Sequence, residues 1–242
     1  MGKKQQRQQA AMAMRKQREA EARRKKLLFG GAIAVAVILI GGLIGVGIWM
    51  NQDEDHDVVT PQAEHSDDGA IQVGNGDTEV TVYLDYGCPG CQHFELTFGE
   101  QIKEWVENDD ISLSNHPLNY QVNLGDRFAL RAGAASVCAA DEGESEYLDF
   151  SFALFNQQPE TASDDVSNDE MIQIGEDQGL SDDFSSCVTE GTYMGWVEDG
   201  SEEARNSGIE STPTVLVNGE QVETENFADV VQASIDNNNG SD

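Results

Sequence analysis

The sequence predicts an α/β domain with an inserted set of helices, carried behind a single membrane-spanning helix. Three observations predict it. Residues 27–50, "LLFGGAIAVAVILIGGLIGVGIWM", hold no charge. A strand-like run at 79–86 leads directly into a C-x-x-C at residues 88–91, with helical spacing beyond it. Near the end, "TPTVLVNGEQVET" gives a strand, a turn and a second strand, and a last helix follows.

The first 26 residues carry ten Lys/Arg against only Glu19 and Glu21. At about 1.5 Å per helical residue, the uncharged run after them is long enough to cross a ~30 Å hydrocarbon core. It ends at Trp49 and Met50 with no small-x-small cleavage site behind it, so it is expected to remain as an anchor. Basic residues before the span and "DEDHD" after it place the N-terminus in the cytoplasm and the rest outside. Gly41 and Gly45 form a G-x-x-x-G, which marks a helix contact or only the ordinary glycine content of a span. Residues 51–76 mix acids, Gly and Pro61 without period and read as an extended linker. His56 and His65 within it lack partners at metal-ligand spacing and are expected to be solvated. The folded domain is then 77–242, with its helical insertion at about 122–190.

Charge excludes one class of function. Residues 51–242 hold four basic and 43 acidic residues, a net of −39, against −31 for the whole chain. Such a domain repels nucleic acid and anionic surfaces. Plain solubility accounts for an acidic surface; adaptation to high external salt, where self-repulsion is screened, is the sharper reading.

Within the domain, "EVTVYLDY" (79–86) places Val80, Val82, Leu84 and Tyr86 on one face. Tyr83 is apolar on the other, so the strand is expected to be central. Pro89 suits a first helical position, and Phe94, Phe98, Ile102 and Trp105 form the apolar stripe of a helix reaching about Asn108. Glu95 falls outside that stripe. "ISLSNHPLNY" (111–120) is a second strand. The alanine-rich "GDRFALRAGAASVCAADEG", then "SEYLDFSFALFNQ", "SNDEMIQIGEDQG" and the stretch ending at Gly208 are helical. Asn218-Gly219 is a hairpin turn, and the last helix runs from about Asn226 to Asp236.

Four cysteines occur: Cys88, Cys91, Cys138 and Cys187. A zinc site lacks its second close pair, although His93 or His116 could supply ligands. A structural bridge between Cys88 and Cys91 would close too small a loop to restrain much chain. A C-x-x-C at a helix start instead suits redox chemistry, because unpaired N–H groups and the helix dipole favour a thiolate on Cys88. Cys138 and Cys187 are expected to bridge the helical insertion; two separate buried thiols are the alternative.

"YLDYGCPGCQHFE", the helical insertion and "GIESTPTVLVNG" together resemble the DsbA-like branch of the thioredoxin superfamily, in its membrane-anchored, exported form. The resemblance covers roughly residues 77–237 and implies a thioredoxin-like fold. It implies Cys88 as nucleophile, Cys91 as resolving cysteine, and Pro213 as a proline held cis beside them. Thr212 would offer backbone hydrogen bonds to an extended substrate, with Pro89 and Gly90 also at the substrate. No cofactor beyond the cysteine pair is implied. Two departures stand out. Pro-Gly separates the cysteines where the strongly oxidising prototype has Pro-His, which implies a less extreme oxidant. Val82 stands where the family commonly has a buried acid. Proton transfer at Cys91 then falls to water or Asp85, although Asp85 could equally be a strand-end cap. His93 could assist the thiolate or be an exposed helix residue.

The expectation is an outward-facing thiol–disulfide oxidoreductase that gives disulfides to exported proteins bearing free thiols. A quinone-linked membrane protein would reoxidise it. The alternatives are a reductase or isomerase fed by a membrane electron donor, and a thioredoxin-like binding module whose cysteines are idle. Cys88→Ser would separate the last, leaving a binder intact.

Overall fold

The computed structural model describes residues 56–120, 128–158 and 166–240. The expected basic segment, the membrane span with Gly41 and Gly45, the first five linker residues and the expected start of the insertion lie outside them. No helix among the described residues is long and apolar enough to cross a membrane.

A five-stranded mixed sheet forms the centre. Its strands are β1 (Ile71–Val73), β2 (Thr78–Leu84), β3 (Ile111–Pro117), β4 (Thr214–Val217) and β5 (Glu220–Val222), in the order β1-β3-β2-β4-β5. β2 runs parallel to β3 and antiparallel to β4, so it is the central strand that its two-sided apolar pattern predicts. Val80, Val82 and Leu84 are buried on one face, as their parity requires. Between β2 and β3 the chain forms α1 (Pro89–Glu107), the crossover that parallel strands need. β4 and β5 are joined by Asn218 (φ +50°) and Gly219 (φ +78°), the two left-handed residues of a primed hairpin turn.

Among the described residues, five helices lie between β3 and β4: α2 (Phe128–Ala140), α3 (Glu144–Asn156), α4 (Asn168–Asp177), α5 (Asp182–Glu190) and α6 (Met194–Asn206). The helical stretch thus runs well beyond residue 190. After β5 comes α7 (Phe227–Asn239), which continues three residues past Asp236 through asparagines that composition alone assigns to a tail. Phe227 of α7 packs on Phe94, Phe98 and Trp105 of α1, with ring centroids 5.0, 5.2 and 6.0 Å away. This aromatic cluster holds the first and last helices together. α3 lies against α1, and its Tyr147, Phe150, Leu154 and Phe155 are buried.

The sequence reading of 51–76 as linker differs from the structure. Ile71 and Val73 are buried and pair antiparallel with Asn115 and Leu113 of β3, forming β1. Three residues are too few for a periodic signal, and the pairing partner lies 40 positions away. Upstream, the backbone N–H groups of Gln62 and Ala63 donate to the Asp141 carboxylate at 2.7 and 2.8 Å. His65 presents its ring edge-on to Trp196, and His56 Nδ1 lies 3.0 Å from Glu198 Oε2. Neither histidine is free in solvent, because this segment lies against α6.

Candidate active site

β2 ends at Leu84, and the chain turns through Asp85, Tyr86 and Gly87 into Cys88, which caps α1. The Cys88 N–H donates to the Asp85 carbonyl at 3.0 Å, closing the turn. Asp85 is fully buried and its carboxylate accepts two backbone N–H groups, from Gly87 at 2.7 Å and from Tyr120 at 2.6 Å. It therefore ties the turn before the cysteines to the segment after β3. Its own N–H points at Cys91 Sγ, 3.4 Å away. Cys88 has extended backbone angles and Pro89 follows at the first helical position, where its missing N–H costs nothing. The Cys88 carbonyl accepts the N–H groups of Cys91 and Gln92 at 3.0 and 3.1 Å.

From the other side of the site comes the segment before β4. The Thr212–Pro213 peptide bond is cis, and the Cys88 thiol donates to the Thr212 carbonyl at 3.3 Å. Pro89 and Gly90 are exposed between the cysteines, whereas Thr212 and Pro213 are half-buried. A Cβ on Gly90 would sit 3.2 Å from Pro213 Cδ and 3.6 Å from Cys88 Sγ. Glycine at this position therefore does more than remove a charge: it lets residues 212–213 approach the sulfur closely.

The two thiols are electrostatically unequal. A hydrogen bond from the Cys91 thiol lowers the Cys88 pKa to about 5, helped by the Thr212 side chain and by the backbone N–H groups of Cys91 and Gly90, and opposed by burial. Burial pushes the Cys91 thiol well above its ordinary range, and the neighbouring Cys88 adds to that. Cys88 is also the more open of the two, 7% exposed against 1%. At neutral pH this is a pair with one reachable thiolate and one protonated, enclosed thiol.

His93 is exposed on α1, and no hydrogen bond among the described residues joins it to either sulfur. His116 is buried and stacks on Tyr83 at 4.1 Å; burial lowers its pKa. Among the described residues no group of three or more His, Cys, Asp or Glu is placed to hold a metal. Cys138 and Cys187 form a disulfide joining α2 to α5, with Cα atoms 5.9 Å apart.

Glu95 is the residue that helical patterning missed. It follows Cys91 by four positions, so both lie on one face of α1. The side chain is buried, with its carboxyl folded over Gly99 on the helix side that meets α3. Burial pushes its pKa up to about 7. Tyr86 and Tyr147 lie within its electrostatic reach, and the Tyr86 hydroxyl is 2.8 Å from Ser151 Oγ. A buried acid is thus present on the helix that follows the cysteines, one turn beyond Cys91. Its spacing from Cys91 was the available signal.

Comparisons with known proteins agree with this geometry. The thioredoxin family profile matches residues 66–237. Disulfide bond formation protein D of Bacillus subtilis (strain 168) is 27% identical over 192 residues, covering 73% of this chain and 78% of that protein. Among solved structures, oxidised DsbA of Mycobacterium tuberculosis superposes with a TM-score of 0.61 at 23% identity, over 69% of this chain and 92% of the other. MdbA, a thiol-disulfide oxidoreductase from Corynebacterium diphtheriae, gives 0.59 at 22% identity, over 75% and 99%. At those identities the likeness is one of fold.

Proposed function

The chain belongs to the thioredoxin family as a DsbA-like thiol–disulfide oxidoreductase, and from that premise we propose that Cys88 and Cys91 are its redox pair and that it works as an oxidase of exported proteins. The observation that carries this reading is the depressed pKa of Cys88 beside an enclosed Cys91. A stabilised thiolate favours the reduced form of the pair, which makes the disulfide form a stronger oxidant.

The steps follow from that asymmetry. A substrate thiolate attacks Cys88 Sγ of the Cys88–Cys91 disulfide, forming a mixed disulfide and releasing Cys91, which takes up a proton. Glu95, titrating near neutrality on the same helix face, is suited to exchange that proton. The substrate's second thiolate then attacks the substrate's first sulfur in the mixed disulfide, forming the substrate disulfide, and Cys88 leaves as a stable thiolate. Two electrons have passed from the substrate dithiol to the cysteine pair. Thr212, half-buried beside Cys88, is placed to align an extended substrate through its backbone.

The proposal extends to location. The charge-free run at 27–50 and the basic residues before it support an uncleaved anchor with the catalytic domain outside the cell. A quinone-linked membrane protein is the simplest electron acceptor, since an anchor would hold both proteins in one plane. The test is a reduction potential, read by alkylation and mass analysis of Cys88 in the full-length protein equilibrated in graded glutathione buffers. A value toward about −120 mV supports the oxidase, and one near about −270 mV reverses the direction to a reductase.

A further inference from the structure

Gln158 lies just beyond the end of α3, in the helical insertion and 67 positions after Cys91. It is buried, 8% exposed, and its side-chain amide donates to two carbonyls of the active-site turn: Tyr86 at 2.5 Å and Cys88 at 3.0 Å. Those carbonyls bracket Gly87 on the approach to the redox pair. Gln158 adds to contacts by which α3 already grips this turn. Ser151 meets the Tyr86 hydroxyl, Phe155 stacks on the Tyr86 ring at 4.5 Å, and the Phe155 carbonyl accepts from Gln92 of α1 at 2.8 Å. A spacing of four puts Ser151 and Phe155 on one side of the helix, and Gln158 reaches the same turn from just past the helix end.

We propose that Gln158 is a positioning residue for the redox pair. Its amide fixes the orientation of the Cys88 residue, so that the sulfur sits over the N–H groups at the start of α1, and it binds the Tyr86 and Cys88 carbonyl dipoles near the thiolate. Both N–H groups of one buried amide are spent on that turn, so an isosteric side chain without donors cannot replace it. Loss of both bonds frees the turn to rotate Cys88 away from the N–H groups that stabilise its charge. The inserted helices thereby set how oxidising the pair is, although the cysteines themselves lie on the strand–helix frame. The inference rests on Cys88–Cys91 being the redox pair, and not on the direction in which electrons flow.

The test uses the full-length protein with Gln158→Met, against wild type and Gln157→Ala, an exposed neighbour. Two quantities are read: the Cys88 titration midpoint from thiolate absorbance, and the equilibrium constant with glutathione. Q158M is expected to raise the midpoint by a unit or more. The constant should shift about tenfold toward a weaker oxidant, or about 30 mV for two electrons. Q157A should change neither. If Q158M lowers only thermal stability and leaves both quantities within twofold, Gln158 is merely structural and the inference fails. A second measurement needs no variant: in wild type, the Gln158 side-chain amide protons should shift with the same midpoint as Cys88, and their failure to do so also overturns the assignment. A wild-type protein with no ionised thiol near pH 5 and no reversible redox transition would instead sink the redox-pair reading, and this inference with it.

Discussion

Cys88 and Cys91 could be picked out from their spacing alone, because the chemistry of a C-x-x-C at a helix start is local; Pro213 followed only from the family resemblance. Glu95 could not. Its neighbour Phe94 defines the apolar stripe, and Glu95 is covered only because α3, some 50 residues later, lies over that side of α1. Gln158 was equally invisible: a glutamine after a helix has no pattern until its two carbonyl partners are in place. Asp85 was noticed, and its fully buried carboxylate proves to brace two backbone segments.

The titrations of Cys88 and Glu95 have opposite signs. Cys88 is depressed to about 5, so the stability it gives the reduced protein is present at high pH and is lost as pH falls through 5. Alkylation of Cys88 should accordingly rise with a midpoint near pH 5, while Cys91 stays unreactive at neutral pH; a midpoint near an ordinary thiol value would remove the basis for an oxidase. Glu95 is raised from 4.5 to about 7, so its burial costs nothing below pH 4.5 and takes a growing share of stability as pH rises from there through 7. Glu95→Gln should therefore be near-neutral at pH 4.5 and stabilising at pH 8, by roughly 3 kcal/mol from a shift of this size. Denaturant melts at the two pH values check the sign. Slower turnover of the same variant would mark Glu95 as the proton-exchanging group.

At the level of elements, the central strand, α1, the Asn218-Gly219 hairpin and the helical character of the insertion all followed from sequence periodicity and turn chemistry. β1 escaped because three residues carry no period, and α7 outran its expected end, its last turn held where the Asn238 side-chain amide donates to Thr78 Oγ1 at 3.0 Å. Which helices the second disulfide would join depended on the fold. Cys138–Cys187 closes a separation of 49 residues between α2 and α5. Replacing both cysteines by serine should lower stability on the order of 4 kcal/mol by loop entropy. The Cys88 titration should stay put, since among the described residues no hydrogen bond joins Cys138 or Cys187 to the Tyr86–Cys88 turn. Calorimetry and thiolate absorbance on one sample separate the two effects.

For the whole molecule, composition was silent about topology. No pattern in the sequence orders the sheet as β1-β3-β2-β4-β5, because that order depends on contacts between distant segments. The charge balance, by contrast, is plain. With a net of −39 beyond residue 50, self-repulsion in the folded domain is large, and the described Lys103 contacts with Asp149 and Glu107 offset little of it. Screening shortens from about 10 Å at 0.1 M salt to about 3 Å at 1 M. The melting temperature should climb by on the order of 10 °C across that range, and a flat or falling profile would leave plain solubility as the explanation of the acidic surface.

The attachment of β1 also decides where this protein can be cut. Leu113, Ser114 and Asn115 of β3 have β1 as their outer partner. A recombinant fragment begun at residue 77, where composition suggests the domain starts, would strip that partner and leave a bare strand edge. Such an edge recruits the same edge of another molecule, and aggregates follow. A fragment begun at His56 carries its own cover strand and should stay monodisperse where the shorter one precipitates.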